Sequence, residues 1–190
     1  MDIKEEKKEI RKRIRTLKGE QSHAEKVSAS EKIAQKLLML DEIFSSHTIL
    51  LYHSLPDEVL TENLIHYLHS PEGGSKRIIL PIVDGEHLTL KEYAPDKLEC
   101  GYRSIMEPSG GKIIDPAEVE FAVIPGVAFD SGCNRMGRGK GFYDKLLPFI
   151  KCKKIGLAYN FQIVDKIPCN EHDIPMDAVL TESEIYLRAL

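Results

Sequence analysis

The sequence has no tryptophan, only four cysteines, and nothing approaching the run of about 18 apolar residues that a membrane span requires. Each scarcity excludes something. Cys100, Cys133, Cys152 and Cys169 make no C-x-x-C pair and have no histidine at zinc-finger spacing, so neither a disulfide framework nor a structural zinc site is expected. The thiols are read as reduced. The opening MDIKEEKKEIRKRIRTLKGE is charged from its second residue and has no apolar leader segment, which predicts a cytoplasmic protein with no membrane partner. No internal repeat or low-complexity tract is found.

What is present suits a soluble globular chain. Its 190 residues, 42% hydrophobic and 29% charged, are enough for one domain with a packed core over residues 1–190. The net charge of −4 conceals an asymmetry, because residues 1–18 hold eight Lys/Arg against four acids and carry +4 while the remainder carries −8. Duplex binding usually shows as a basic face across a whole domain. A local anion site is therefore expected, with a small-molecule substrate and no nucleic-acid partner.

Two helices open the chain. Ile3, Ile10, Ile14 and Leu17 share one face of the first; SHAE (22–25) and SASE (28–31) both match the capping box ahead of the second. TILLYH (48–53) reads as a buried strand running into the loop LPDE, and TENLIHYLHS (61–70) as a short helix closed by PEGGSK. RIILPIV (77–83) and LTLKEY (88–93) follow as strands, then a Pro- and Gly-rich irregular stretch over 95–117. FAVIPGVAF (121–129) suits a central strand covered on both faces, YDKLLPFI (143–150) a helix, and KIGLAYN (154–160) and DAVLTES (177–183) further strands. This alternation predicts a three-layer α/β/α fold, Rossmann-like, with a mainly parallel sheet and helices on both faces.

NRMGRGKGFYD (134–144) sets Gly137, Gly139 and Gly141 at alternate positions with Arg138 and Lys140 between them and Arg135 just before. It lies between an apolar strand and a helix start, where bare N–H groups and the helix dipole favour an anion. The pattern is neither a P-loop, since Lys140 is followed by Gly141, nor a dinucleotide fingerprint, since the third residue after Gly139 is Phe142. Taken alone, a flexible glycine-rich turn with solvated charges is the simpler reading. The flanking elements and three interleaved cations favour a phosphate.

The longer stretch PGVAFDSGCNRMGRGKGFYDKLL resembles the signature of the 5-formyltetrahydrofolate cyclo-ligase family. KKEIR near the start, DEVLT after the first strand, IMEP at 105–108 and PCNEHDIPMD near the end follow in the family's order. Met136 stands where the family usually has Leu, and Phe142 where Tyr is common. The resemblance implies a monomeric three-layer α/β enzyme that uses ATP and Mg2+ to close 5-formyltetrahydrofolate to 5,10-methenyltetrahydrofolate. It implies transfer of the terminal phosphoryl group to the formyl oxygen before ring closure.

It also implies residue roles. The nucleotide site would comprise Lys7, Lys8, Glu9, Ile10 and Arg11 with Arg135, Met136, Gly137, Arg138, Gly139, Lys140, Gly141, Phe142 and Tyr143. Arg138 and Lys140 would stabilise the transferring charge. His53 and Glu58, with Arg138, Gly139, Lys140, Gly141 and Phe142, would meet the folate; Asp144 and Asp173 would hold Mg2+. Each has a plainer alternative. Lys7, Lys8, Arg11 and Lys12 read alone are a solvated helix face, Asp144 an acid at a helix start, Asp173 a loop carboxylate, Glu58 a cap and His53 a packing residue. Tyr143 fits core packing or stacking on a pterin ring. His172, beside Asp173, has no assigned role. Two other functions compete: RNA-backbone binding, which would weaken steeply with salt, and sugar-phosphate isomerisation or transfer, which would turn over without ATP.

Overall fold

A computed structural model describes residues 2–101, 106–171 and 173–189; Ile105 of IMEP and His172 lie outside them. The elements in chain order begin α1 (Ile3–Glu20), α2 (His23–Leu38), α3 (Asp41–Ser45), β1 (Thr48–Leu50), α4 (Glu62–His69), β2 (Arg77–Asp84) and β3 (His87–Glu92). They continue with β4 (Leu98–Cys100), β5 (Met106–Pro108), β6 (Phe121–Pro125), β7 (Ala128–Asp130), β8 (Arg135–Met136) and α5 (Phe142–Leu146). β9 (Lys154–Leu157), β10 (Ile163–Val164), β11 (Ala178–Leu180) and β12 (Ile185–Leu187) complete the series.

Among the described residues, seven strands form the main sheet in the order β12-β11-β9-β6-β1-β2-β3. The five central strands run parallel, and β12 and β3 close the two edges antiparallel. Side chains alternate across the pleat, so neighbouring residues feed opposite layers. Ile49 and Leu51 face one core with Ile33 and Leu37 of α2 and Leu64, Ile65 and Leu68 of α4. Leu50, Ile79 and Ile124 face the other, with Leu146, Leu147 and Ile150 around α5. The α/β/α layering and mainly parallel sheet are as expected.

Chain order makes the centre of the sheet a crevice. From β1 the chain passes through α4 on one face to β2, whereas from β6 it passes through α5 on the other face to β9, and β1 and β6 are neighbours. The two crossovers diverge at the carboxyl ends of β1 and β6, which is where open α/β sheets bind ligands.

Several elements differ from the sequence reading. FAVIPGVAF is not one strand: β6 stops at Pro125, and β7 pairs instead with β8 and β10 in a separate three-stranded sheet. At the break, a Cβ on Gly126 would meet the Phe129 ring at 2.5 Å. The expected helix over 143–150 is the five-residue α5 followed by a 3-10 turn at Leu147–Phe149, where Pro148 lacks the N–H to continue. Only Ser22 caps α2, its hydroxyl accepting from Glu25 N at 3.3 Å while Glu25 Oε2 accepts from Ser22 N at 2.8 Å; Ser28 lies inside the helix. The irregular stretch over 95–117 contains the β4–β5 hairpin. β12 was not foreseen, and Ile3 stays exposed.

The small sheet carries α1. Ile10, Ile14 and Leu17 pack on Val127, Ala128, Met136, Val164 and Ile167. Asp130, buried at the end of β7, holds this sheet's turn by accepting from Gly132 N at 3.0 Å, Asn134 N at 2.9 Å, Asn134 Nδ2 at 3.0 Å and Ile167 N at 2.9 Å. Asp130→Ala would leave those donors without their acceptor. It is expected to cost about 3 kcal/mol, read by urea unfolding; a loss within about 0.5 kcal/mol would show that the turn is held by other contacts.

Candidate active site

β8 delivers the chain into Gly137–Gly141, and α5 leads it away. Gly139 (φ 91) and Gly141 (φ 71) adopt left-handed backbone, which a side chain would strain, so two of the three glycines answer a conformational need. Because α5 is so short, few peptide dipoles align behind the loop. Side-chain cations, and not the expected helix dipole, dominate the local charge.

Those cations come from two directions. From α1, Lys7 Nζ pairs with Asp173 Oδ2 at 2.6 Å and Arg11 Nε donates to Gly137 O at 3.0 Å, with the Arg11 guanidinium resting against Gly139. Lys8 faces outward and pairs with Glu5 at 3.1 Å, Glu9 is exposed, and Ile10 packs into the core. From the loop side, Arg135 Nη2 pairs with Asp144 Oδ1 at 2.5 Å, Nη1 donates to Pro125 O at 3.2 Å, and the guanidinium lies 5.5 Å over the Tyr143 ring. Among the described residues, its buried Nε has no hydrogen-bond partner. Arg138 Nη2 pairs with Asp57 at 2.6 Å and Glu58 at 3.0 Å. Lys140 is exposed and, among the described residues, forms no ion pair. The Met136 side chain points into the core, away from this surface, and its carbonyl accepts from Val127 N at 2.7 Å.

Beneath the loop lies a cleft of about 140 Å³ at the β1/β6 crevice. Tyr52, Pro81, Val83, Leu88, Phe142 and Tyr143 give it apolar walls, and His53, Glu58, Arg135, Arg138, Lys140 and Asp144 give it a polar mouth. Glu58 is locked from behind: its Oε2 accepts from Leu55 N at 3.1 Å and its carbonyl from Tyr159 Oη at 2.9 Å, the latter held in turn by Ser30 at 3.0 Å. His53 Nε2 sits 3.7 Å from Glu62 Oε1.

Burial and charge shift several groups. Burial alone would raise Asp57 and Asp173, but donors outweigh it, Arg138 and Lys18 for the first and Lys7 for the second, and both carboxyls are held below their usual range. Burial pushes the Tyr143 hydroxyl far up, with Glu58 adding to it. Burial lowers His53 against the opposing pull of Glu62. Arg11 is lowered by burial, with Asp144 offsetting.

Asp144 and Asp173 do not form a closed cage. No group of three His, Cys, Asp or Glu suited to a metal occurs among the described residues. Each carboxylate is paired to a cation, and Arg135 acts electrostatically on Asp173 as well. Such an oxygen donor set fits Mg2+, which keeps several waters and takes one or two carboxylates beside phosphate oxygens. Sequence reasoning missed Asp57, Lys18 and Tyr159. Asp57 is adjacent to Glu58, and Lys18 lies seven residues beyond Arg11 on the docking stripe; Tyr159 left no local signal.

Residues 3–182 match the model of the 5-formyltetrahydrofolate cyclo-ligase family. The chain belongs to this family. It is 30% identical to the 5-formyltetrahydrofolate cyclo-ligase of Escherichia coli K12, over 93% of this chain and 98% of the relative. The Mus musculus enzyme of the same name is 29% identical, over 92% of this chain and 90% of the relative. Among solved structures, the Aquifex aeolicus 5,10-methenyltetrahydrofolate synthetase superposes with a TM-score of 0.85 at 36% identity, over 97% of this chain and 95% of that one. The family resemblance read from the loop signature is therefore borne out, and with it the enzyme class.

The lowered carboxyls define an acid limb of stability. A carboxyl whose folded pKa lies below its unfolded value of about 3.9 stabilises the fold above that pH and loses the contribution as pH falls through the folded value. Asp173→Asn is therefore expected to lower stability at neutral pH and to flatten its decline below about pH 4. Parallel unfolding curves for the two proteins from pH 6 to pH 2, set by about those limits, would show that the Lys7 pair contributes nothing.

Proposed function

We propose that this protein converts 5-formyltetrahydrofolate to 5,10-methenyltetrahydrofolate with ATP and Mg2+, releasing ADP and phosphate. The observation that carries the proposal is a glycine-bared loop with Arg11 against its backbone and with Arg135 and Lys140 lining the apolar cleft beside it. An aromatic-lined cleft suits a pterin; the cations and bare backbone of the loop suit a triphosphate. The buried Nε of Arg135, without a partner among the described residues, is a donor such a ligand would satisfy.

The chemistry asks for positioning and charge neutralisation, not a protein nucleophile. The formyl oxygen attacks the terminal phosphorus and the bond to ADP breaks. The second folate nitrogen then attacks the formyl carbon, the carbon–oxygen bond breaks, and phosphate departs with that oxygen and the nitrogen's proton. Phosphorylation makes a poor leaving group into a good one. Lys7, Arg11 and Lys140 would bind the triphosphate, and Arg138 and Lys140 would meet the charge on the transferring group. Glu58 and His53 would orient the folate, with Phe142 and Tyr143 as the apolar wall. Mg2+, held by Asp144 and Asp173 through water, would supply further neutralisation. α1, docked across the loop, would shield the phosphoryl group from water.

RNA binding fits less well. Lys7, Arg11 and Lys18 face inward onto Asp173, Gly137 and Asp57, and so are withdrawn from an outer nucleic-acid surface. No described helix is long and apolar enough to cross a membrane.

Mixing the protein with 5-formyltetrahydrofolate, ATP and Mg2+ should produce the methenyltetrahydrofolate absorbance; a flat trace with all three present would end the reading. Lys140→Ala is expected to lower kcat/KM by about 100-fold or more, whereas Lys12→Ala, on the exposed side of α1, should stay within about twofold. Equal losses would mean the site is misplaced. Asp144→Asn should raise the Mg2+ concentration needed for half-maximal rate, and an unchanged Mg2+ curve would remove Asp144 from the metal site.

A further inference from the structure

The stripe that docks α1 does not end at Arg11. Lys18 lies beyond Ile14 on the same side of the helix and is buried although it carries an ammonium group. Its Nζ donates to Asp57 Oδ2 at 3.0 Å, while Arg138 Nη2 donates to Asp57 Oδ1 at 2.6 Å. One carboxylate is thus divided between a helix cation and a loop cation. The same Nη2 also donates to Glu58 Oε1 at 3.0 Å, and Nε donates to that oxygen at 3.3 Å. A second cavity, of about 350 Å³, opens at this junction and is lined by Arg11, Arg15, Lys18, Asp57 and Arg138.

From this geometry we infer that Lys18 is a positioning residue for Arg138, acting through Asp57; the assignment rests on the reading of the glycine loop as the triphosphate site. Without Lys18, two carboxylates would face one guanidinium, and their excess charge would hold Arg138 against the acidic pair. Lys18 brings the junction to two cations and two anions. Arg138 is then free to share its donors between Glu58 and an incoming phosphate oxygen, while Asp57 still fixes the direction of its approach. Lys18 itself points at Asp57 and touches neither the loop backbone nor the apolar cleft. Because Lys18 also lines the second cavity, an effect carried by Arg138 is told from direct contact by the Arg138→Met background. Burial of the ammonium lowers its pKa, but Asp57 opposes that shift, so the pair is internally consistent as a charged contact.

The test is calorimetric binding of inorganic tripolyphosphate alongside steady-state methenyltetrahydrofolate formation, for the wild type, Lys18→Met, Lys18→Arg and Arg138→Met. Lys18→Met is expected to weaken tripolyphosphate binding and to raise the KM for ATP about tenfold each, with kcat within about twofold. Lys18→Arg should return both to within about threefold of the wild type. In an Arg138→Met background the further change from Lys18→Met should vanish, because the coupled partner is gone. Unchanged affinity with a lowered melting temperature would reduce Lys18 to a structural residue and overturn the inference. A full Lys18 effect in the Arg138→Met background would overturn it too, by showing direct contact with the anion. Should Lys18→Met not fold, Lys18→Gln keeps a hydrogen bond to Asp57 without the charge and is judged by the same criteria. A wild type that binds tripolyphosphate in a Lys18-dependent way but forms no methenyltetrahydrofolate would defeat the functional reading and leave the Lys18 assignment standing.

Discussion

The docking of α1 across the glycine loop is the constraint on which the site depends. One helix face alternates polar anchors with an apolar one: Lys7 to Asp173, Arg11 to the Gly137 carbonyl, Ile14 against the small sheet and Lys18 to Asp57. The apolar contact supplies non-directional adhesion, and the ion pairs fix register along and around the helix axis. Lose that register and Arg11 no longer reaches the loop. The small sheet that receives α1 is itself pinned by Asp130, so a buried carboxylate in a turn governs how a distant helix presents its cations.

The cation balance explains how an acidic chain could hold the proposed polyanion site. Near the loop, Arg135, Arg138 and Lys7 each face a carboxylate, and Lys140 is left to solvent. Paired cations are directed cations: each carboxylate fixes an approach direction at the cost of part of the field. Arg138 keeps partial exposure, so exchange of a carboxylate for a phosphate oxygen is a smaller step there than at Arg135, whose side chain is buried. In the proposed site, the apolar walls beneath would add binding that is insensitive to this exchange.

Much of the architecture was legible along the chain because it is local. Hydrophobic periodicity and punctuation identified α1, α2, α4 and the parallel strands, and the glycine run marked the loop. Legibility failed where a local rule met a tertiary competitor. FAVIPGVAF has the composition of one buried strand, yet Pro125 and the contact of Gly126 with Phe129 divide it between two sheets. SASE has a capping pattern equal to that of SHAE, but propagation from Ser22 absorbs it into α2. Lys8 and Lys7 are neighbours of the same type; rotation about the helix axis sends one to solvent and the other to Asp173.

By itself the sequence determined the α/β class, the glycine loop with its intervening cations, and the family, because these depend on residue type and short-range spacing. Only the tertiary structure decided which cations converge on that loop, and that Lys18 and Asp57 stand behind Arg138. The physical reason is that an ion pair between residues 39 or 81 positions apart leaves no periodic trace in the chain. It exists only when separate elements have been packed to within hydrogen-bond distance.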